Sequence, residues 1–364
     1  QSDRAIWVDL EAKQIVSTWD VAANFKALAI HPRGEWAVLR GSAFLFPGLE
    51  TLYLIRFSTA GVASMKSWRP LYNSNVDGKT WGTGRGQIFW VDFVGDDYLA
   101  TVSSWGVLHI WNLSDLRPVA TFNDTRGLPS VTPDGQKIAF ATKSGVALVD
   151  PETRSVLGFQ AISNMPMKPT LVFDHDGQTL AVVDKTRTIL VDLQTRNQKT
   201  LYTSYLRKGS FNSRPDLGWV GGYLCSRSTL ADLQAGIPVW GFEGARWASP
   251  EGNCLWAVVQ SRDRQRLALR SFAISPSDIS SKVNEVLGQS DALPWRVGKK
   301  VRVDVAELPA ERKAAAKEAL TQLLTKRGLV PSNQTDLVLK ASIEAKSGEK
   351  TVIYNMQRED DSWQ

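Results

Sequence analysis

The sequence predicts an all-β repeat protein followed by a small module that contains a helix. Short turn-forming motifs return along residues 1 to 275, and an acidic or amide residue returns at regular intervals behind them. Beyond Ile274 the apolar residues change from alternation to helical spacing, which predicts the module. The fourteen tryptophans also favour β-structure, because aromatic side chains suit a pleated, half-buried surface.

The first repeated feature is a tight turn between two apolar runs. Proline, aspartate and glycine supply the turn geometry, and the alternation that follows predicts a strand. Each copy therefore predicts a hairpin of two buried strands. The copies are HPRGEWAVL (31–39), VGDDYLATV (94–102), TPDGQKIAF (132–140), DHDGQTLAV (174–182), VGGYLCS (220–226) and SPEGNCLWAV (249–258).

The second repeated feature lies about one strand further on, where Asn112, Asp150, Asp192 and Asp232 are separated by 38, 42 and 40 residues. A spacing of about 40 to 45 residues is the length of one four-stranded propeller blade. The fold class predicted for residues 1–275 is therefore a β-propeller. The opening segment 4–21 reads as the outer two strands of a further blade, so seven blades are favoured, with six as the alternative.

These two features resemble the WD-repeat superfamily, in which a PDG-like turn is followed by an x-D pair that ends the third strand. The resemblance covers about three quarters of the chain. It departs from the family in lacking the Gly-His pair, and only Trp111-Asn112 approaches the Trp-Asp pair. The same pattern is similar to the repeats of TolB-like and YVTN-like propellers. The resemblance implies a rigid ring of blades.

The C-terminal part is predicted to be a linker with one short helix (276–296) and a β-α-β-β module (297–364) whose sheet is expected to be only partly present. Pro309 starts and Gly328 stops a run of helix formers, which predicts a helix over 309–328. The segments 337–346 and 350–357 read as two strands after it. Because the sequence ends soon after the last strand, we expect the natural chain to continue beyond Gln364.

Composition limits the function classes only loosely. The net charge of +6 and the pI near 9.2 permit anionic partners but are modest for this length, so there is no strong nucleic-acid signal. Cys225 and Cys254 lie in apolar strand-like runs and are expected to be free thiols. No transmembrane segment is predicted. Localisation stays open between the cytoplasm and export behind a leader that precedes Gln1.

The sequence contains little that points to catalysis or to a cofactor. His31, His109 and His175 lie in three different predicted blades, without a second ligand at metal-binding spacing. Asp174 and Asp176 are assigned to a hairpin turn rather than to a calcium loop. Nucleophile-elbow and Walker motifs are missing from the sequence. We therefore predict no enzyme activity, no cofactor and no metal.

One long connection, 67–86, is the predicted partner-binding loop. It is roughly twenty residues longer than the other repeats require, and insertions of that length are often functional. It combines aromatic and arginine side chains, the types that dominate interface hot spots. The alternative is that its tryptophans only anchor the loop. The predicted binding residues, together with arginines of other loops, are Trp68, Arg69, Tyr72, Trp81, Arg85, Arg187, Arg214 and Arg264.

The leading functional hypothesis is a non-enzymatic scaffold that binds a partner through one cationic loop face. In a propeller the loops between second and third strands share a face with the blade-to-blade connections, and here those segments carry more basic than acidic residues. The expected partner is another protein, or else an anionic polymer. The alternative hypothesis is an enzyme or small-ligand binder that uses the central channel of the propeller.

Overall fold

A computed structural model defines 28 strands and two helices within the residues that it describes. It describes residues 3–9, 12, 14–21, 25–41, 51–58, 61–70, 87–184, 186–203, 217–226, 229–234, 236–241, 245–251, 254–260, 267–288, 298–326, 328–335 and 338–341. The chain divides into two compact units, Gln1–Ser280 and Ser281–Gln364.

The first unit is mostly β and is built from antiparallel sheets whose strands follow one another in chain order. It opens with a hairpin of β1 (Asp3–Asp9) and β2 (Gln14–Val21). Five four-stranded sheets and one three-stranded sheet follow. The first sheet contains β3 (Lys26–Ile30), β4 (Trp36–Arg40), β5 (Leu52–Ser58) and β6 (Gly61–Trp68), and the second contains β7 (Ile88–Val94), β8 (Tyr98–Ser103), β9 (Leu108–Asn112) and β10 (Pro118–Phe122).

The third to sixth sheets repeat the same meander. The third contains β11 (Arg126–Val131), β12 (Ile138–Ala141), β13 (Gly145–Asp150) and β14 (Ser155–Ala161). The fourth contains β15 (Thr170–Phe173), β16 (Thr179–Val183), β17 (Arg187–Asp192) and β18 (Gln198–Tyr202). The fifth contains β19 (Leu217–Val220), β20 (Tyr223–Ser226), β21 (Thr229–Asp232) and β22 (Ile237–Gly241), and the sixth contains β23 (Ala245–Glu251), β24 (Cys254–Gln260) and β25 (Leu267–Ala273). All six predicted turns join the first two strands of a sheet, so that prediction is confirmed.

Consecutive sheets pack face to face along their first strands. β3 lies beside β7, β7 beside β11, β11 beside β15, β15 beside β19, and β19 beside β23. One residue pair, Leu128 with Thr170, even joins β11 and β15 as a parallel bridge. The first strand of each of these six sheets is therefore the inner one, and in the five four-stranded sheets the fourth strand lies at the outer edge.

The hydrophobic core is divided into separate clusters, each between two neighbouring sheets. Trp90 and Val94 of β7 belong to the cluster shared with the third sheet, whereas Val91 and Phe93 of the same strand belong to the cluster shared with the first. Successive side chains of a strand point to opposite faces, and here both faces are covered. This is why the inner strands read as continuous apolar runs rather than as alternating ones.

The regular spacing of the second sequence marker comes from a repeated turn. The side chains of Asn112, Asp150, Asp192 and Asp232 each accept a hydrogen bond from the backbone N–H two residues later, at 2.8 to 2.9 Å. Four residues after each marker the chain adopts positive φ, at Leu116, Arg154, Arg196 and Gly236. A short acidic or amide side chain can close this turn onto its own backbone, which explains why that residue type recurs.

The second unit contains a small parallel sheet and a helix. The helix predicted over 309–328 is present as α2 (Ala310–Lys326), following α1 (Pro276–Gly288), which bridges the two units in sequence. The sheet has the order β27 (Val330–Pro331), β26 (Lys300–Asp304), β28 (Val338–Lys340). Val301, Leu324 and Leu329 form its core. Of the two strands predicted after the helix, only 338–340 lies in the described chain, and 350–357 lies outside it.

Two further predictions from the sequence concern the cysteines and membrane-spanning segments. Cys225 and Cys254 are thiols that form no disulfide bond with each other, as predicted, and Cys225 is buried. Neither helix of the described chain has the length and apolar composition that crossing a membrane requires.

Candidate functional site

The structure describes three of the eight predicted binding residues, Trp68, Arg69 and Arg187. The other five, Tyr72, Trp81, Arg85, Arg214 and Arg264, lie outside the described residues. Most of the predicted partner-binding loop, from 71 to 86, lies there as well. The described part of the candidate site therefore consists of the strands and connections that flank this loop.

Trp68 belongs to the core rather than to a binding surface. It is the last residue of β6, is 4% exposed, and packs edge-on against Trp111 at a ring-centroid distance of 6.4 Å. Both rings are part of the cluster between the first and second sheets. Sequence reasoning placed Trp68 in a long loop, but β6 extends far enough to draw its side chain into the core. Its neighbour Arg69 is exposed, just beyond the strand.

Arg187 has a structural role that the sequence did not reveal. It is the first residue of β17, and its guanidinium donates to the backbone carbonyl of Asn164, in the connection between the third and fourth sheets. Arg40 does the same between the first and second sheets, because its Nη1 donates to the carbonyl of Ile88 at 3.0 Å. These two guanidinium groups tie neighbouring sheets together and satisfy backbone carbonyls.

The connections after the second strands and those between sheets do lie together, as predicted. Thr125 N–H donates to Gly106 O at 2.8 Å, Ile162 N–H to Ser144 O at 3.0 Å, and Thr203 N–H to Thr186 O at 2.9 Å. In each case the residue at the end of a sheet meets the loop between its second and third strands. We call these segments the loop surface; its described residues are Arg69, 104–106, 123–125, 142–144, 162–168, 184, 186 and 203.

The loop surface carries exposed cations and two exposed apolar side chains. Arg69, Lys143 and Lys168 are exposed on it, with Asp124 as an acidic neighbour. Trp105 is 40% exposed and Met167 is 77% exposed. A large apolar side chain that faces water near cations is a common anchor in protein interfaces. Sequence reasoning missed both, because neither lies in the long connection on which it concentrated.

The turns between first and second strands make a second series of contacts on the opposite end of the strands. His31 Nδ1 accepts the Arg33 backbone N–H at 3.2 Å, and its Nε2 lies 3.6 Å from Asp96 Oδ1 in the next turn. Because the backbone donor occupies Nδ1, the ring proton belongs on Nε2, facing the carboxylate. Arg33 reaches Asp96 as well, at 2.6 Å. His31 thus joins two turns.

The acidic residues of these turns also have structural partners. Asp174 Oδ1 accepts the Thr179 N–H at 2.9 Å, and Asp176 Oδ1 accepts the Gln178 N–H at 3.1 Å. Burial raises the pKa of Asp174, whereas the Gln178 N–H lowers the pKa of Asp176. These contacts support the hairpin assignment over a calcium loop. Within the part of the chain that the structure describes, no group of three or more histidine, cysteine or acidic side chains could hold a metal.

His109 is the most perturbed histidine, and it lies between packed strands. It is 2% exposed, its Nδ1 is 2.9 Å from Thr121 Oγ1, and its ring packs against the ring of Trp111. Burial lowers its pKa from 6.5 to about 4, because the charged imidazolium would lose its hydration. His109 is therefore a neutral core residue at neutral pH.

This burial predicts a loss of stability on acidification. Between about pH 6.5 and pH 4 the His109 imidazole is protonated in the unfolded chain but neutral in the folded chain. Stability should therefore fall as the pH drops through that window, by about 3 kcal/mol in all. The urea-unfolding midpoint is measured as a function of pH between pH 7 and 4.5. We expect His109→Asn to remove this contribution to its slope. His175→Asn, at an exposed position, is the control, and equal slopes in all three proteins would contradict the assignment.

Comparisons with known proteins identify no family for this chain. No protein-family model matches it, and the curated proteins contain no match. Among solved structures, a chain from the crystal structure of a mitotic checkpoint complex matches with a TM-score of 0.45 and 14% identity, covering 69% of this chain and 73% of that chain. A likeness of this size defines neither fold family nor function.

Proposed function

We propose that the first unit is a β-propeller of WD-type repeats that serves as a non-enzymatic scaffold, and that a partner protein docks on its cationic loop surface. The single observation that carries this proposal is the packing order. Every first strand lies beside the first strand of the next sheet, and each interval contains its own apolar cluster. Radially arranged blades require this arrangement, whereas the two layers of a sandwich would share one core.

Seven blades are the count we propose. The hairpin β1–β2 forms its own two-stranded sheet, and β2 lies beside β6, the outer strand of the first sheet. This position suits the outer half of a seventh blade next to the first. Closing the ring there would protect sheet edges that otherwise invite aggregation.

Docking on the loop surface is supported by its composition. Rigid sheets hold its loops, which carry exposed cations and the exposed side chains of Trp105 and Met167. The shifted pKa values of the described residues belong to turn carboxylates, to the packed His109 and to the surface Lys340, so they do not converge on one cavity. An enzyme site normally gathers such groups, and we therefore favour binding over catalysis.

The test reverses charges on the loop surface and in the long connection next to it. We expect Arg69→Glu with Arg85→Glu to reduce the capture of a native-extract partner by immobilised protein, and to reduce the salt sensitivity of that capture. Cations at an interface mainly set the salt dependence and the association rate. The unfolding midpoint should stay unchanged, because Arg69 is exposed.

Lys199→Glu, on an exposed outer strand away from the loop surface, is the matched control. Retention on immobilised heparin distinguishes an anionic polymer from a protein as the partner. If the surface binds a polymer, the double variant should be retained less strongly than the wild type. Partners that bind equally to the wild type and the double variant would eliminate this surface as the docking site.

A further inference from the structure

β14 is an outer edge strand that lacks the protection of its counterparts. Edge strands usually carry a charged residue or a proline that discourages pairing with another chain. β14 reads SVLGFQA and has neither. The outer strands of the other four-stranded sheets each carry one: Lys66 in β6, Pro118 in β10, Lys199 in β18 and Pro238 in β22.

The unprotected strand also exposes its apolar side chains. Val156 is 52% exposed, Leu157 is 48% exposed and Phe159 is 49% exposed. At the end of the strand, Gln198 Nε2 donates to the Ala161 carbonyl at 2.6 Å. Among the described residues, three large exposed apolar side chains on one outer strand indicate an interaction surface rather than an ordinary solvent-facing strand.

A cavity of about 230 Å³ opens beside this edge, between the third and fourth sheets. Leu157 and Phe159 form its outer side, while Phe173, Leu180 and Val191 of the fourth sheet form its floor. An apolar cavity of about 150 Å³ holds a benzene molecule, so this one has room for an aromatic side chain. It is smaller than the roughly 300 to 1,000 Å³ typical of sites for whole small molecules.

One cation lies at the rim of the cavity. Arg196 follows β17 in the repeated turn, lines the cavity and is exposed. It makes no hydrogen bond or ion pair with the other described residues. The nearby Asp192 carboxylate is engaged with the backbone N–H groups of Gln194 and Thr195. The rim therefore offers a guanidinium group that matches a carboxylate.

We propose that β14 and this cavity form a docking site for an extended peptide segment of a partner protein. The segment would add a strand to β14, insert one bulky apolar side chain between Leu157 and Phe173, and place an acidic side chain against Arg196. Strand addition supplies backbone hydrogen bonds, while the cavity and the cation supply specificity. The site does not depend on the loop surface or on the function proposed for it.

The experiment selects peptides from a phage-displayed library of random twelve-residue sequences on the full chain. We expect the selected sequences to share an aromatic or leucine residue near an aspartate or glutamate. A fluorescein-labelled copy of a selected peptide then reports affinity by fluorescence anisotropy. Phe159→Lys should weaken it at least about tenfold, because a charge enters the apolar cavity mouth; Leu157→Lys is a second variant in case the first fails to fold.

Three comparisons make the result decisive. Val156→Thr, on the same strand but outside the cavity lining and without an added charge, should retain the affinity. Arg196→Glu should weaken binding of the acidic peptide and strengthen binding of a copy whose acidic residue is replaced by lysine. Arg69→Glu, on the loop surface, should have no effect.

The proposal is overturned if no peptide is enriched, if Phe159→Lys binds the peptide as the wild type does, or if Arg69→Glu abolishes binding. It is also overturned if the wild type sediments as a dimer that Phe159→Lys dissociates, since a second copy of the chain would then occupy the edge.

Discussion

Replacing Gly127 with alanine is expected to destabilise the first unit by more than about 4 kcal/mol, at the upper end for a single substitution. Gly127 lies in β11 with φ +65°, and an added Cβ would stand 1.7 Å from the carbonyl oxygen of Pro169 and 2.6 Å from its nitrogen. Those are backbone atoms, and Leu128 N–H already donates to the same oxygen at 2.8 Å. The third and fourth sheets would have to separate where their inner strands meet.

Gly236→Ala is the matched control for this prediction. Gly236 also has positive φ, +71°, but an added Cβ there would meet nothing within 4 Å. Gly236→Ala should therefore lower the free energy of unfolding only by the backbone strain, about 1 to 2 kcal/mol. Urea-unfolding midpoints of the two variants separate steric exclusion between sheets from conformational strain. Similar midpoints would mean that β11 and β15 can move apart without loss.

Replacing Trp111 with alanine is expected to cost about 3 to 5 kcal/mol, the range for deleting a buried aromatic side chain. Trp111 is fully buried in β9 and contacts the rings of Trp68 and His109. Its Nε1 donates to Thr101 Oγ1 at 2.9 Å, and Thr101 is itself completely buried. The variant therefore leaves both a cavity and an unsatisfied hydroxyl group.

Trp105→Ala provides the comparison, because Trp105 lies only six positions earlier and is 40% exposed on the loop surface. Its effect on the unfolding midpoint should be small. If the loop surface binds a partner, the same variant should weaken capture instead. The two tryptophans would thus separate stability from binding, and a large midpoint shift for Trp105→Ala would place that side chain in the core.

Local features of the first unit could be predicted from its sequence with good accuracy. The turns at Gly34, Gly135 and Gly177 join strands as predicted, since a glycine with positive φ after a proline- or aspartate-containing turn leaves few alternatives. The spacing of Asp150 and Asp192 likewise follows from a turn that each residue closes on its own backbone. Such signals are local, and the chain carries them wherever the sheets are placed.

The candidate site was less predictable. The sequence placed Trp68 on a binding surface, but where β6 ends depends on its pairing with β5 across seven residue pairs. For Arg187, the sequence did not predict the hydrogen bond that its guanidinium donates to the Asn164 carbonyl of a neighbouring connection. Neither partner is visible in a local window, because both arise from the packing of sheets.

The sequence by itself determined the repeat, the turn chemistry, the strand-rich first unit and the helix over 310–326, because each depends on contacts within about one repeat length. Only the tertiary structure decided which apolar residues face each neighbouring sheet, as with Trp90 and Val91 in β7. It also decided that His109 is buried and uncharged, and that β14 alone among its counterparts combines an unprotected edge with a cavity. Burial and cavities are properties of the space between sheets, and residues distant in sequence enclose that space.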